Sequence, residues 1–199
     1  MSEEIFVWIY FALFIVMILL EVPIGSAMVL SSLLYIVQNG QSFVMFAQKT
    51  ATSFASYSLL AVPAFVFVGC AMNEIGFSDR IFGVAEKAVG HIPGGLGHAN
   101  VLASMIFAGM SGSALADAGG LGTIEVKTMR DAGYQDEFTV AVTAASSVIG
   151  PIIPPSINFV MWAFLSGTST MAMFMAGIVP GVLCGIMLMI WCYISIKFL

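Results

Sequence analysis

The chain has 199 residues, of which 60% are hydrophobic and only 9% are charged, and its mean hydropathy is +1.03. Soluble domains average about 25% charged residues, so this composition excludes a water-soluble domain and indicates an integral membrane protein in a lipid bilayer. The net charge of −5 argues against a nucleic-acid partner.

The first 90 residues predict helices that span the membrane or lie along it. A spanning helix needs about 20 apolar residues. The apolar runs predicted as spans are Ile5–Leu20, Ser26–Val37 and Leu59–Met72, the second of them short. Residues 41–57 and 77–90 have one apolar face and one polar face, which is typical of interfacial helices. We therefore interpret residues 1–90 as scaffold-type helices with interfacial arm helices.

Residues 96–126 are apolar but interrupted in the middle by the sequence Ser111-Gly112-Ser113. Each arm has about 14 residues, which is too short to span a bilayer, so the pattern predicts a re-entrant helical hairpin with its tip at this sequence. The basic residues favour the same topology. The positive-inside rule expects Lys and Arg on the cytoplasmic side of the membrane. If the N-terminus is on the outer side, five of the six Lys and Arg residues are cytoplasmic only when the hairpin enters and leaves the membrane on the same side.

The predicted tip carries oxygen ligands suited to a hard monovalent cation. Ser111 and Ser113 supply hydroxyls, and Gly112 permits close backbone approach. The alternative for such small residues is a helix-packing interface. Asp117 follows four residues later, where an ionised carboxylate costs roughly 2.5–3.5 kcal/mol on membrane-insertion scales. The sequence leaves open whether Asp117 binds the cation or caps and orients the tip.

A second interruption lies within the apolar stretch 138–165, at Gly150-Pro151-Ile152-Ile153-Pro154-Pro155-Ser156. Proline has no N–H and crowds the carbonyl four residues back. Three prolines in five residues therefore predict an unwound segment rather than a bent helix. We expect it to leave the carbonyls of Ser147, Gly150 and Pro151 free for a cation. The alternative is a proline kink that only shapes packing.

The half-helix that follows is predicted to present its positive end to an anion. Ser156 begins this half-helix and Asn158 follows, so both are candidate substrate ligands. Residues 91–165 are then the transport-type region with hairpin and broken helix. Residues 166–199 hold a final spanning helix, Met171–Phe198.

These segments resemble a known family. The resemblance is carried by Phe107–Ser113 with Ala116–Ala118, by Val142–Ser156, by Val22–Gly25 and by Val62–Phe65. Together they resemble the large membrane subunit of tripartite ATP-independent periplasmic (TRAP) transporters. The resemblance implies an all-α integral membrane fold, the first inverted repeat of an elevator-type transporter, and no enzymatic activity.

The same resemblance implies a function. It implies a sodium-coupled importer of organic acids, of the C4-dicarboxylate or sialic acid type, in the bacterial inner membrane. It implies a small membrane subunit and a periplasmic substrate-binding protein as partners. It also implies a sodium site, with Asp117 and Ser156 as less certain members. The residues carried over for sodium are Ser111, Gly112, Ser113, Gly150, Pro151 and Pro155.

One departure from the family concerns length. The family's large subunit is about twice as long and holds two inverted repeats, and this chain matches the first. We therefore expect a fragment, a split subunit completed by a C-terminal half, or a half that pairs with a second copy. Two other functions stay open: half of a binding-protein-independent dicarboxylate or ion transporter, and a non-transporting membrane scaffold from a truncated gene.

Overall fold

The computed structural model describes residues 3–55 and 57–198, and these residues form helices, turns and loops with no strands among them. The helices form two compact units, one within residues 3–55 and the other within residues 57–198. This agrees with the predicted all-α fold. The functional division at residues 90 and 165 stays a prediction.

The first unit contains three helices: α1 (Glu3–Leu19), α2 (Ile24–Gln38) and α3 (Phe43–Phe54). The predicted break between the first two spans is a tight turn in which Glu21 adopts a φ of +62° and Pro23 precedes α2. The two helices contact each other, and the rings of Tyr10 and Tyr35 meet edge to face at 5.7 Å. The amphipathic segment predicted at 41–57 is α3, which begins where the Ser42 hydroxyl accepts a hydrogen bond from Val44 N–H.

The second unit contains the remaining elements. In chain order they are α4 (Tyr57–Glu74), α5 (Phe77–Val89), α6 (Gly95–Ser111), the single turn α7 (Ala114–Ala116), a π-helical turn (Asp117–Leu121), α8 (Gly122–Asp131), α9 (Asp136–Ser147), α10 (Ile157–Ser166) and α11 (Thr170–Phe198). The predicted hairpin therefore consists of α6 as its first arm and α7, the π turn and α8 as its second arm.

Helix α6 lies at the centre of this unit because small residues let neighbours approach it from several sides. The apolar face of α5 packs on one side of α6 and α11 packs on another. One core cluster comprises Ile81, Phe82, Ala85, Ala99, Ala103, Phe107 and Leu121. The other comprises Val101, Met129, Val142, Ile149 and Cys192. The hairpin is thus supported along both of its arms.

The chain reverses at the predicted tip. Helix α6 ends at Ser111, and Gly112 adopts a left-handed conformation with a φ of +58°. The second arm then packs back against α6. The helical hairpin is therefore confirmed as chain geometry, while its re-entry into a bilayer stays a prediction.

One described helix, Thr170–Lys197, is long and apolar enough to cross a membrane on its own. It continues through Pro180, where a kink is predicted. The helices at the first two predicted spans, Phe6–Leu19 and Ile24–Gln38, are apolar but shorter. The number of membrane crossings therefore stays a prediction.

Candidate ion and solute site at two helix breaks

The structure brings the two predicted breaks into contact. Ile157 N–H donates a hydrogen bond to the Gly112 carbonyl at 3.4 Å, which joins the hairpin tip to the start of α10. A Cβ atom on Gly112 would lie 2.6 Å from the Pro155 carbonyl oxygen. A Cβ atom on Gly150 would lie 3.3 Å from the carbonyl carbon of Ser113. Glycine on each side therefore permits a backbone-to-backbone approach that any side chain would obstruct.

The two hydroxyls of the tip are used locally. Ser111 is buried, and its hydroxyl accepts a hydrogen bond from Ser113 N–H at 3.5 Å. The Ser113 hydroxyl accepts from Ala116 N–H at 3.4 Å and so caps the second arm. Both contacts are long for hydrogen bonds to oxygen. Each hydroxyl oxygen retains a further lone pair, so the donor set fits a hard cation such as sodium.

The second break is an unwound segment, as the prolines predict. Helix α9 ends at Ser147 and α10 begins at Ile157. The prediction that three carbonyls are free is wrong in part. The Ser147 carbonyl accepts from Gly150 N–H at 3.1 Å because a tight turn forms there. The Pro151 carbonyl accepts from the Ser156 hydroxyl at 2.6 Å. In the described part of the chain, the Gly150 carbonyl accepts none.

The two candidate substrate ligands occupy different environments. Ser156 is fully buried, and its hydroxyl also accepts from Phe159 N–H at 3.3 Å, so it caps α10. Asn158 is exposed one residue into the helix. The remaining free N–H groups at the start of α10 carry the positive end of its dipole. Substrate binding by Ser156 and Asn158 stays a prediction.

Asp117 lies one turn into the second arm, where its backbone N–H donates a hydrogen bond to the Ser113 carbonyl of the tip at 3.1 Å. Its backbone begins the π turn, and its side chain is 1% exposed and beside Ser104 on α6. Ser104 is seven residues before Ser111, or about 10 Å along an α-helix. Within residues 3–55 and 57–198, neither carboxylate oxygen of Asp117 has a hydrogen-bond partner. Binding of a cation at the tip by Asp117 therefore stays a prediction.

Sequence reasoning missed a second buried carboxylate, Glu125 on α8, which is 1% exposed and within electrostatic range of Asp117. Eight residues separate the two, which would place them roughly 80° apart around a continuous α-helix. The π turn between them accommodates one additional residue and reduces that angle to roughly 20°. The paired glycines at 119 and 120 were the available signal for an irregular turn.

Sequence reasoning also missed most of a polar layer between α6 and α9. Asn100 donates a hydrogen bond from Nδ2 to the Thr143 hydroxyl at 2.7 Å and accepts one at Oδ1 from the Ser146 hydroxyl at 2.7 Å. The Ser104 hydroxyl donates to Ser146 at 3.1 Å. All four side chains are buried. This network spans more than 40 residues of sequence, so no local pattern reveals it.

Helix breaks that meet inside an apolar helical protein, with buried polar groups around them, define a membrane transporter subunit. Residues 11–198 match the family described as the tripartite ATP-independent periplasmic transporter, DctM component, and the chain belongs to this integral membrane family. The predicted family is therefore confirmed. Its members are transporter permeases and not enzymes.

Three relatives illustrate the similarity. The sialic acid TRAP transporter large permease protein SiaM of Vibrio cholerae is 47% identical over 88% of this chain and 41% of its own length. The sialic acid TRAP transporter permease protein SiaT of Haemophilus influenzae is 44% identical over 92% of this chain and 30% of its length. The C4-dicarboxylate TRAP transporter large permease protein DctM of Vibrio cholerae is 38% identical over 94% of this chain and 42% of its own length. The chain thus spans 30–42% of the length of these relatives.

Proposed function

We propose that this chain forms part of a sodium-coupled secondary transporter that imports an organic acid of the sialic acid or C4-dicarboxylate type. The observation that supports it is the junction of the two breaks, where Ile157 N–H bonds the Gly112 carbonyl. Relatives similar over most of the chain are named for these two substrate classes. The proposal includes multi-pass insertion in the bacterial inner membrane, a small membrane subunit and a periplasmic binding protein.

The chemistry of the junction supports a sodium ion next to an anionic substrate. The hydroxyls of Ser111 and Ser113 and the carbonyl of Gly150 are neutral oxygen donors close to the same backbone contact. The N-terminus of α10 lies on the other side of that contact and favours a carboxylate. A cation bound between the breaks would hold them together and orient this helix terminus toward the substrate.

The substrate site needs more than this chain in our proposal. The chain corresponds to less than half of each relative described above. A second hairpin and a second broken helix, from a C-terminal half or a second copy, would close the site from the opposite side. The elevator-type movement of the hairpin region against the first helices is part of the same proposal.

The proposal is tested by sodium-driven uptake in proteoliposomes that contain the permease with this chain and its binding protein. Ser111→Ala and Ser113→Ala should each raise the half-saturating sodium concentration by about two- to tenfold, which corresponds to 0.5–1.5 kcal/mol for one lost oxygen contact. Ser166→Ala is the matched control, because Ser166 is exposed and its hydroxyl donates to the Trp162 carbonyl.

An unchanged sodium dependence in both tip variants would contradict the tip site. Uptake that persists without any binding protein would favour the binding-protein-independent transporter instead. Absence of uptake with every partner present would favour the membrane scaffold.

A further inference from the structure

The last part of α4 meets the hairpin at two points that lie one helical turn apart. A Cβ atom on Gly69 would lie 3.6 Å from Cβ of Ser111, where the first arm ends. Asn73 follows four residues later on the same face of α4, about 6 Å along the helix. A Cβ atom on Gly120, in the π turn of the second arm, would lie 2.8 Å from Oδ1 of Asn73 and closer still to its Nδ2. Helix α4 therefore contacts both arms.

The side-chain amide of Asn73 is held in place from α5. The Ser78 hydroxyl donates a hydrogen bond to Asn73 Oδ1 at 2.7 Å. Ser78 is 1% exposed in the first turn of α5, and α5 packs along α6. Gly120 is buried although Asn73 is exposed on its other side. The amide therefore covers Gly120 and cannot move off it without losing the hydrogen bond from Ser78.

The two neighbouring glycines of the π turn differ in what surrounds them. Gly119 is exposed, and a Cβ atom on it would meet nothing within 4 Å. Neither Gly119 nor Gly120 adopts a positive φ, so the backbone conformation accepts an L residue at both positions. The space for a side chain is missing only at Gly120, because the Asn73 amide occupies it.

Helix α4 also packs against α10, whose first residue, Ile157, bonds the Gly112 carbonyl. The helix thus lies beside both elements that meet at the junction of the two breaks. Ser111 is 1% exposed, and the contact with Gly69 is one of those that bury it. A displacement of α4 would therefore uncover the tip.

We propose that Asn73 is a positioning residue, which fixes the end of α4 against both arms of the hairpin and so keeps Ser111 covered by Gly69. Asn73 acts through the packing of α4 on Gly120 and is not itself a ligand of the ion or the substrate. Its part in uptake rests on the proposed function, in which the Ser111 hydroxyl is a sodium ligand.

Disulfide formation between Gly69→Cys and Ser111→Cys measures the position of α4 without any sodium. The Cβ separation of 3.6 Å lies within the range of about 3.5–4.5 Å that a disulfide requires. Cys70→Ser removes the exposed thiol next to Gly69 from the background. In the purified permease that contains this chain, oxidation should protect both introduced thiols from a maleimide reagent.

Gly120→Ala forces the Asn73 amide away and should abolish this cross-link. Gly119→Ala is the matched control in the same π turn and should retain the cross-link. Asn73→Ala alone removes the contact and should weaken the cross-link. In Asn73→Ala/Gly120→Ala one methyl group takes the place of the amide, so the double variant should cross-link better than either single variant.

This recovery keeps the test decisive if Gly120→Ala does not fold. Cross-linking at the wild-type level in Gly120→Ala would overturn the proposal, and so would a double variant that recovers neither folding nor the cross-link.

Sodium-driven uptake gives the readout that a purely structural role would not change. Gly120→Ala should raise the half-saturating sodium concentration by about two- to tenfold, the range expected for Ser111→Ala, and Gly119→Ala should leave it unchanged. If Ser111→Ala shifts the sodium dependence but Gly120→Ala lowers only the maximal rate, the positioning role is overturned. If Ser111→Ala and Ser113→Ala both leave the sodium dependence unchanged while the cross-link responds as expected, the proposed tip site fails and the positioning of α4 by Asn73 stands.

Discussion

The hairpin offers two polar regions that are built in different ways. At the tip, the contact is backbone against backbone, through Gly112 and the segment that leads into Ile157. Below the tip, side chains make the region polar: Asn100 hydrogen-bonds across to α9, and the carboxylates of Asp117 and Glu125 are buried. The structure of the tip is determined by residues that lack a side chain (glycine) or a backbone N–H (proline). The structure of the region below it is determined by which buried polar side chains are hydrogen-bonded.

The largest effect should follow from adding one methyl group at the tip. Gly112→Ala must adopt a left-handed φ, which costs about 1–2 kcal/mol, and must also displace the Pro155 carbonyl, which adds about 1–3 kcal/mol. We expect loss of uptake and a lower melting temperature, measured on the reconstituted and purified permease.

Gly133→Ala provides the matched control for this change. Gly133 has a φ of +83°, and a Cβ atom there would meet nothing within 4 Å. The Gly133→Ala variant should therefore lose only the free energy of the left-handed conformation and retain uptake. Equal losses in the two variants would show that the contact with Pro155 contributes nothing.

This comparison also explains how much the sequence could predict. The tip and the unwound segment were predictable because Gly112 and the prolines at 151, 154 and 155 impose local backbone conformations whatever lies around them. Their juxtaposition was expected from the family resemblance. The hydrogen bonds of Ser147 and Pro151 were missed because they arise inside a tight turn and from the Ser156 hydroxyl.

The polar layer was far less predictable. Asn100 and Thr143 are 43 residues apart, and each alone resembles an ordinary polar residue in a membrane helix. Glu125 sits among polar and basic neighbours in α8, which are typical of an exposed helix end. The packing of α8 against α9, α6 and α5 accompanies its burial, and the π turn brings it to nearly the same side of the arm as Asp117.

A second, smaller effect should follow from removing the centre of the polar layer. Asn100→Leu would leave the hydroxyls of Thr143 and Ser146 buried without their amide partner, which costs about 1–3 kcal/mol. Thermal unfolding should show the loss, while the half-saturating sodium concentration of the tip stays unchanged. Asn39→Leu is the control, since the Asn39 side chain is exposed and donates to the Tyr35 carbonyl at 2.9 Å. A shift in tip affinity with Asn100→Leu would mean that the two regions are coupled.

The smallest effect should follow from removing the cap of α10. Ser156→Ala removes the acceptor for Phe159 N–H and the donor to the Pro151 carbonyl, and a lost cap alone costs about 0.5–2 kcal/mol. Ser169→Ala removes a comparable contact, in which an exposed hydroxyl accepts from Ala172 N–H at 3.4 Å. Water can replace the lost hydroxyl at the exposed Ser169 but not at the buried Ser156. The melting temperature should therefore fall further in Ser156→Ala than in Ser169→Ala.

The freed Pro151 carbonyl also becomes available to a cation, so sodium should stabilise Ser156→Ala at least as strongly as the wild type. Weaker sodium stabilisation in Ser156→Ala would instead make the Ser156 hydroxyl itself a ligand of the ion.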